Sequence, residues 1–226
     1  MALSSKDIIY EDNHLLIVNK PAGLLVQGDK TGNVTLAEEA KAYLKTKYNK
    51  PGDVFLGVVH RIDRPVSGAV VLARTSKGLA RMNSLFKERK IEKTYWAVVE
   101  KKPPLVSDTI THWLKKNTKI NKTTAFNKKS AGAQESVLSY KLIRRIANNY
   151  LLEVKPVTGR PHQIRVQLAK IGCSIVGDIK YGYNVPNKDA SILLHARSVS
   201  FIHPVKNEPV DVTAPLPKHD IWKLFE

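Results

Sequence analysis

Short apolar runs separated by Gly, Pro, Asn and Asp recur along most of the chain. Ile8, Ile9 and Tyr10, then Leu15 to Val18, bracket Glu11-Asp12-Asn13, a spacing that predicts a hairpin with a short polar turn. Lys20-Pro21-Ala22-Gly23 imposes a bend, and Leu24, Leu25 and Val26 predict a further extended run. Thr35-Leu36-Ala37-Glu38 puts Thr at an N-cap with Glu three residues on, which predicts a helix to about Lys47. Phe55 to Val59 and Ala69 to Ala73 predict two buried strands, with a polar loop over residues 60 to 68 between them. From Ser76 the period changes, and Leu79, Met82, Leu85 and Phe86 share a helical face. Ile91 to Val99, Val137 to Ile146, Tyr150 to Val157, Leu193 to Ile202 and Pro209 to Val212 predict strands, with a short one at Ser174 to Val176. Pro161 predicts the first turn of a helix bearing Ile164, Leu168 and Ile171 and closed by Gly172, and Pro217 to Phe225 predict a closing helix. Strands outnumber helices and short turns join them. The expected fold class is α+β, a single domain with a mixed, largely antiparallel central sheet flanked by helices and loops.

Charge changes the picture more than composition does. Thirty-seven Lys and Arg against 20 Asp and Glu give a formal charge of +17, which points to a polyanionic partner, a nucleic acid or an anionic membrane surface. A generally basic protein with no such partner is the plain alternative. Between Asp108 and Glu135 there are six lysines and no acid, with Trp113 and Phe126 the only aromatics. That stretch reads as an exposed hairpin or a mobile loop. Basic residues interleaved with aromatics suit single-stranded RNA, and a merely solvated loop fits equally well. No apolar run approaches the roughly 18 residues of a membrane span. Met1 to Tyr10 has neither a basic leader nor an apolar signal core, so the expected location is cytoplasmic. The lone Cys173 excludes an intramolecular disulfide framework and a multi-Cys zinc site, and the seven His never fall at zinc-ligand spacing. Phosphate-cradling GxxxxGK[ST], GxGxxG and GxSxG sequences are absent.

What remains is a small set of polar residues. The loop reads His60-Arg61-Ile62-Asp63-Arg64-Pro65-Val66-Ser67-Gly68. Opposite charges on both sides favour the ionised form of Asp63. An ionised Asp on a loop held at both ends can be a nucleophile or an electrostatic anchor; a surface Asp in a solvated ion pair is the other reading. Tyr95 and a helix start carrying Arg160, His162, Gln163 and Arg165 complete the set.

HRIDRPVSG resembles the catalytic motif of the RluA family of pseudouridine synthases. Asn19-Lys20-Pro21-Ala22-Gly23 is similar to that family's first motif, Glu92 to Ala97 to its tyrosine motif, and Gly159 to Val166 to its arginine motif. Gly177-Asp178, Tyr181-Gly182, Leu194-His195-Ala196 and Ala214-Pro215-Leu216-Pro217 follow in the family's order, so the resemblance runs from about residue 8 to 217. Pro161 stands where the family usually has Thr, and Gln167 where it often has His.

The resemblance implies an RNA pseudouridine synthase: one catalytic domain over residues 1 to 226 with an active-site cleft across the sheet, and no separate RNA-binding domain. It implies that Asp63 is the essential carboxylate, by covalent attack or by assisting glycosidic cleavage. Arg165 would keep Asp63 ionised, and Tyr95 would stack on the base and take a proton from C5. Arg61 would fill the place of a flipped-out uridine, with Lys20, Arg64, Arg160, His162, Lys115, Lys119 and Lys122 on the RNA. No cofactor and no metal are expected. The expected partner is rRNA or tRNA, with no protein partner and a monomeric chain. An idle RNA-binding or folding factor on the same scaffold is the alternative, and a binder of membrane surfaces or heparin-like polyanions a third class that leaves the motif loop unexplained.

Overall fold

Asp12 sets the first hairpin. Its Oδ1 accepts the backbone N–H groups of His14 and Leu15, each at 2.8 Å, so the carboxylate closes the turn that joins β1 (Ile8–Glu11) to β2 (Leu15–Lys20). The structure, a computed structural model, describes residues 3–28 and 32–226. By its internal contacts the chain forms two compact units, Met1–Glu92 with Ala196–Pro217, and Lys93–His195 with Lys218–Glu226.

In the first unit, β2 pairs antiparallel with β4 (Ser67–Ala73), from Leu15 opposite Ala73 to Lys20 opposite Gly68. β3 (Gly57–Val58) pairs with the far end of β4. β10 (Leu194–Ile202) enters this unit at Ala196, lies beside β4, and pairs antiparallel with β11 (Pro209–Thr213). Leu15 to Val18 are all fully buried, as is the whole of β4, which is why both strands read as continuous apolar runs rather than alternating ones. Leu15, Ile17, Val71, Met82, Phe201 and Val212 belong to one apolar cluster. Two helices complete the unit, α1 (Leu36–Lys47) and α2 (Ser76–Lys87). Thr35 caps α1 reciprocally: its hydroxyl oxygen accepts from the Glu38 N–H, and the Glu38 carboxylate accepts from the Thr35 N–H.

The second unit is an antiparallel series in the order β5 (Glu92–Val99), β9 (Asn149–Pro156), β8 (Gln134–Ile146), β6 (Ser107–Asn117) and β7 (Lys122–Phe126). It also holds α3 (Gln163–Lys170) and the short α4 (Asp220–Lys223). Trp222 of α4 is buried against the ring of the fully buried His195.

The α+β class and the largely antiparallel pairing are as expected, and several boundaries differ for identifiable reasons. Phe55 to Val59 is not a full strand: only Gly57 and Val58 pair, and Phe55 is exposed. β2 takes one edge of β4 along its length and β10 shares the other, which leaves two positions for β3. Leu24 to Val26 forms a single bridge, Leu25 parallel to Thr35. The helix foreseen from Pro161 starts at Gln163, because His162 sits in the left-handed region at φ 56°. Pro217 lies outside the closing helix, whose N-cap is His219. The lysine-rich stretch is a hairpin, β6–β7. It is not wholly exposed, since Leu114, Thr123 and Ala125 alternate inward. No helix among the described residues is long and apolar enough to cross a membrane.

Gly68 shows how tightly β4 meets its neighbour. Its φ is +114°, and a Cβ there would lie 2.3 Å from the carbonyl oxygen of Ala196, a distance no side-chain carbon tolerates. Gly68→Ala is therefore expected to destabilise the protein by about 2–4 kcal/mol, measured as a lowered midpoint in urea or thermal unfolding.

Candidate active site

In the first unit the chemistry centres on the loop between β3 and β4. Ile62 and Val66 are buried and anchor it, Asp63 is half-buried, and Arg61 and Arg64 are exposed. The Asp63 carbonyl accepts the Val66 N–H at 3.0 Å, closing a turn directly after the carboxylate. Arg64 ties this turn to Gly23 of the first motif twice: its carbonyl accepts the Gly23 N–H at 2.8 Å, and its Nε donates to the Gly23 carbonyl at 2.9 Å. Gly23 takes φ +88°, a conformation that favours glycine. His60 also has a structural task. Its Nε2 accepts the Val71 N–H at 2.9 Å while its ring stacks on Phe86.

Lys20 is not where an RNA phosphate contact would be. It is 0% exposed, and its ammonium donates to the carbonyls of Pro21 and Leu24 at 2.8 Å and of Arg64 at 3.3 Å. Burial disfavours the charge and lowers the Lys20 pKa to about 7. The Asp63 carboxylate works in the opposite direction and favours the ammonium, while the Arg64 guanidinium adds to the lowering. The first unit thus brings Lys20, Asp63 and Arg64 together, with Lys20 acting as an internal strut.

In the second unit Arg165 is 5% exposed on α3. A buried guanidinium needs a partner, and Asp178 supplies a two-pronged one: Nε donates to Oδ2 at 2.7 Å and Nη2 to Oδ1 at 2.8 Å. The face of the guanidinium lies 5.0 Å from the Tyr181 ring centroid. Gln163 braces the approach to α3. Its Oε1 accepts from the Thr158 hydroxyl and the Arg160 N–H, and its Nε2 donates to the Val137 carbonyl. His162 Nδ1 is 2.6 Å from the Tyr181 hydroxyl. Gln167 is fully buried, with its amide nitrogen donating to the carbonyls of Ile110 and Ser136, so the departure from His at this position is a matter of interior packing. Tyr95 stands on β5 opposite Val154. Lys115, Lys119 and Lys122 are exposed on the β6–β7 hairpin, Lys115 donating to the Ala131 carbonyl.

Asp178 and Tyr181 are the residues to which sequence reasoning assigned no role. The signal was present, because Asp178 is the only acid between Glu153 and Asp189, and a buried Arg165 requires one. Among the described residues, no group of three or more His, Cys, Asp or Glu is placed to hold a metal ion. A groove of about 440 Å³ beside α1, lined by Leu3, Tyr43 and Lys47 among others, contains none of the candidate residues.

A sequence profile described as RNA pseudouridylate synthase matches residues 14–170, a span that includes β2, the 60–68 loop, Tyr95 and α3. The chain belongs to the RNA pseudouridylate synthase family. It is 35% identical over 216 residues to ribosomal large subunit pseudouridine synthase C of Buchnera aphidicola subsp. Baizongia pistaciae, covering 92% of this chain and 66% of that relative. It is 32% identical over 231 residues to ribosomal large subunit pseudouridine synthase D of Zymomonas mobilis, covering 97% and 72%. The chain spans about two thirds of the length of the curated relatives it matches first. Among solved structures it shares the fold of human RNA pseudouridylate synthase domain containing 4, with a TM-score of 0.81 at 24% identity over 98% of this chain and 92% of that one. Human RNA pseudouridylate synthase domain containing 1 gives 0.73 at 25% identity over 96% and 87%.

Within this family member, the buried Lys20 makes a prediction about pH. Its pKa is lower folded than unfolded, so the unfolded chain binds more protons between pH 7 and 10.5 and stability rises with pH across that window. Lys20→Met removes the titrating group. The stability of the natural chain relative to Lys20→Met is expected to rise from pH 7 to pH 10, followed by urea unfolding at each pH, whereas a flat difference contradicts the burial of the ammonium.

Proposed function

We propose that this protein is an RNA pseudouridine synthase that converts uridine to pseudouridine in structured RNA, with Asp63 as the essential carboxylate. The observation that carries the reading is the Asp63 loop itself, pinned to the first motif by Lys20 and Arg64 in a chain that matches the family over residues 14–170. The reaction breaks the N1–C1′ bond of a uridine, turns the uracil, and joins C5 to C1′, after which the hydrogen at C5 leaves to solvent as a proton. A half-buried carboxylate on a loop held by backbone bonds is kept in place through that sequence. Tyr95 and Arg165 are carried over from the same resemblance: Tyr95 to stack on the uracil and remove the C5 proton, Arg165 to support the negative charge of the carboxylate.

A uridine stacked in a helix has to leave the stack before its glycosidic bond can be reached, and the exposed Arg61 is assigned to the space it vacates. Arg64, Arg160, His162 and the exposed lysines of the β6–β7 hairpin are assigned to the RNA backbone, where such contacts position without reading sequence. The relatives named for the ribosomal large subunit favour rRNA over tRNA as the target. The reading extends to a monomer acting in the cytoplasm.

The reaction supplies its own assay, since tritium at C5 of uridine is released to water only when C5 becomes bonded to C1′. Asp63→Asn is expected to lower tritium release from unmodified rRNA transcripts by about 10³-fold or more while RNA affinity stays within a few-fold. Undiminished release would remove Asp63 from the chemistry. In a separate binding experiment, neutralising Lys119, Lys122 and Lys128 together is expected to flatten the dependence of log affinity on log salt. The slope should fall by roughly 0.7–0.9 for each phosphate that no longer meets a lysine. An unchanged slope would take the hairpin off the RNA.

A further inference from the structure

The β6–β7 hairpin is joined to Arg165 through one side chain. Tyr181 closes the short helical turn Ile179–Tyr181 and is buried. Its hydroxyl oxygen accepts the Thr123 N–H of β7 at 2.9 Å. The same hydroxyl is hydrogen-bonded to His162 Nδ1 at 2.6 Å. The ring face of the same tyrosine carries the Arg165 guanidinium at 5.0 Å, and Lys122 Nζ lies 6.0 Å from the same ring centroid. Two further bonds run alongside. The Thr123 hydroxyl donates to the Pro161 carbonyl at 3.0 Å, and Lys180 Nζ donates to the Asn121 carbonyl at 3.2 Å.

Asp178 belongs to this turn as well, since its carbonyl accepts the Tyr181 N–H at 3.1 Å. The edge and the face of the Arg165 guanidinium are therefore both held by residues of one four-residue segment, Asp178 by charge and Tyr181 by its ring. That segment is bonded to the edge strand of a hairpin whose outward surface is a row of exposed lysines. The Thr123 N–H and the Asn121 carbonyl thus connect the hairpin to the turn, and the turn carries two groups that hold Arg165. A guanidinium fixed by a planar fork and a ring face tolerates little rotation.

We propose that Tyr181 is a positioning residue that makes the placement of Arg165 depend on RNA engaging the β6–β7 hairpin, so that the basic hairpin contributes to turnover and not only to affinity. This rests on the functional reading above.

The test is a two-by-two comparison on unmodified ribosomal and transfer RNA transcripts, following C5 tritium release with kcat and KM separated. The four proteins are the natural chain, Lys119→Ala with Lys122→Ala, Tyr181→Phe, and the combination. Phenylalanine keeps the ring under Arg165 and removes only the hydroxyl. The lysine pair lies on the surface, so its arm stands even if the Tyr181 variant folds poorly. The expected result is that losing the two lysines raises KM and also lowers kcat at saturating RNA about tenfold in the natural chain. With Phe at position 181, kcat is already about tenfold down, and the lysine substitutions then change KM alone. If the lysine pair moves only KM in the natural chain, or if the two kcat losses multiply in the combination, the inference is overturned while the functional reading stands. If the natural chain releases no tritium from any transcript, the functional reading is overturned and the inference with it.

Discussion

An ammonium group without solvent is costly unless other groups replace the water around it, and Lys20 meets that demand with three backbone carbonyls. The geometry this imposes is considerable. Pro21 and Leu24 come from the bend after β2, and Arg64 comes from the loop between β3 and β4. One side chain thus holds two segments in register that lie more than forty residues apart, and Arg64 adds its own two bonds to Gly23. Asp63 is adjacent to this knot. Its negative charge favours the Lys20 ammonium against the pull of burial, so the strut and the carboxylate are electrostatically linked as well as neighbours in the fold. Gly68 then lets β4 leave the loop against the backbone of Ala196.

The second unit faces the same problem with a different cation. Arg165 is almost as buried as Lys20, yet it is met by a carboxylate fork and an aromatic face rather than by carbonyls. The difference follows from shape. A lysine ammonium is a point charge whose three protons can fan out to three oxygens, whereas a guanidinium is planar and matches a bidentate acid along its edge. Exchanging the two residues would leave carbonyls without donors in one unit and an acid without its second bond in the other. Each unit thus contains one buried cation that organises a motif, and neither cation is displayed to solvent.

The parts of this arrangement that were legible in the sequence are those governed by local rules. Thr35 and Glu38 form the cap their spacing requires, the apolar runs of β2 and β4 are buried on both sides, and the strand expected from Tyr150 is β9, which begins one residue earlier at Asn149. What escaped was set by long-range pairing or by single dihedrals. Nothing in Phe55 to Val59 records that β10 shares the same edge of β4, so a five-residue strand shrank to two. His162 in the left-handed region moved the start of α3 past Pro161. Lys20 misled for a related reason: a lysine in a basic chain reads as a phosphate contact, and only the fold shows three carbonyls around it. Asp178 was derivable in principle from the need of a buried arginine for an acid, but that argument begins only once Arg165 is known to be buried.

The central claim is that a carboxylate on a pinned loop isomerises uridine in cellular RNA. Its most direct test is pseudouridine mapping of rRNA and tRNA from cells that lack this gene, complemented with either the natural chain or the Asp63→Asn form. The account predicts that one or a few pseudouridines vanish on deletion, return with the natural chain, and stay absent with Asp63→Asn. An unchanged map on deletion, or full restoration by the Asn form, would contradict it.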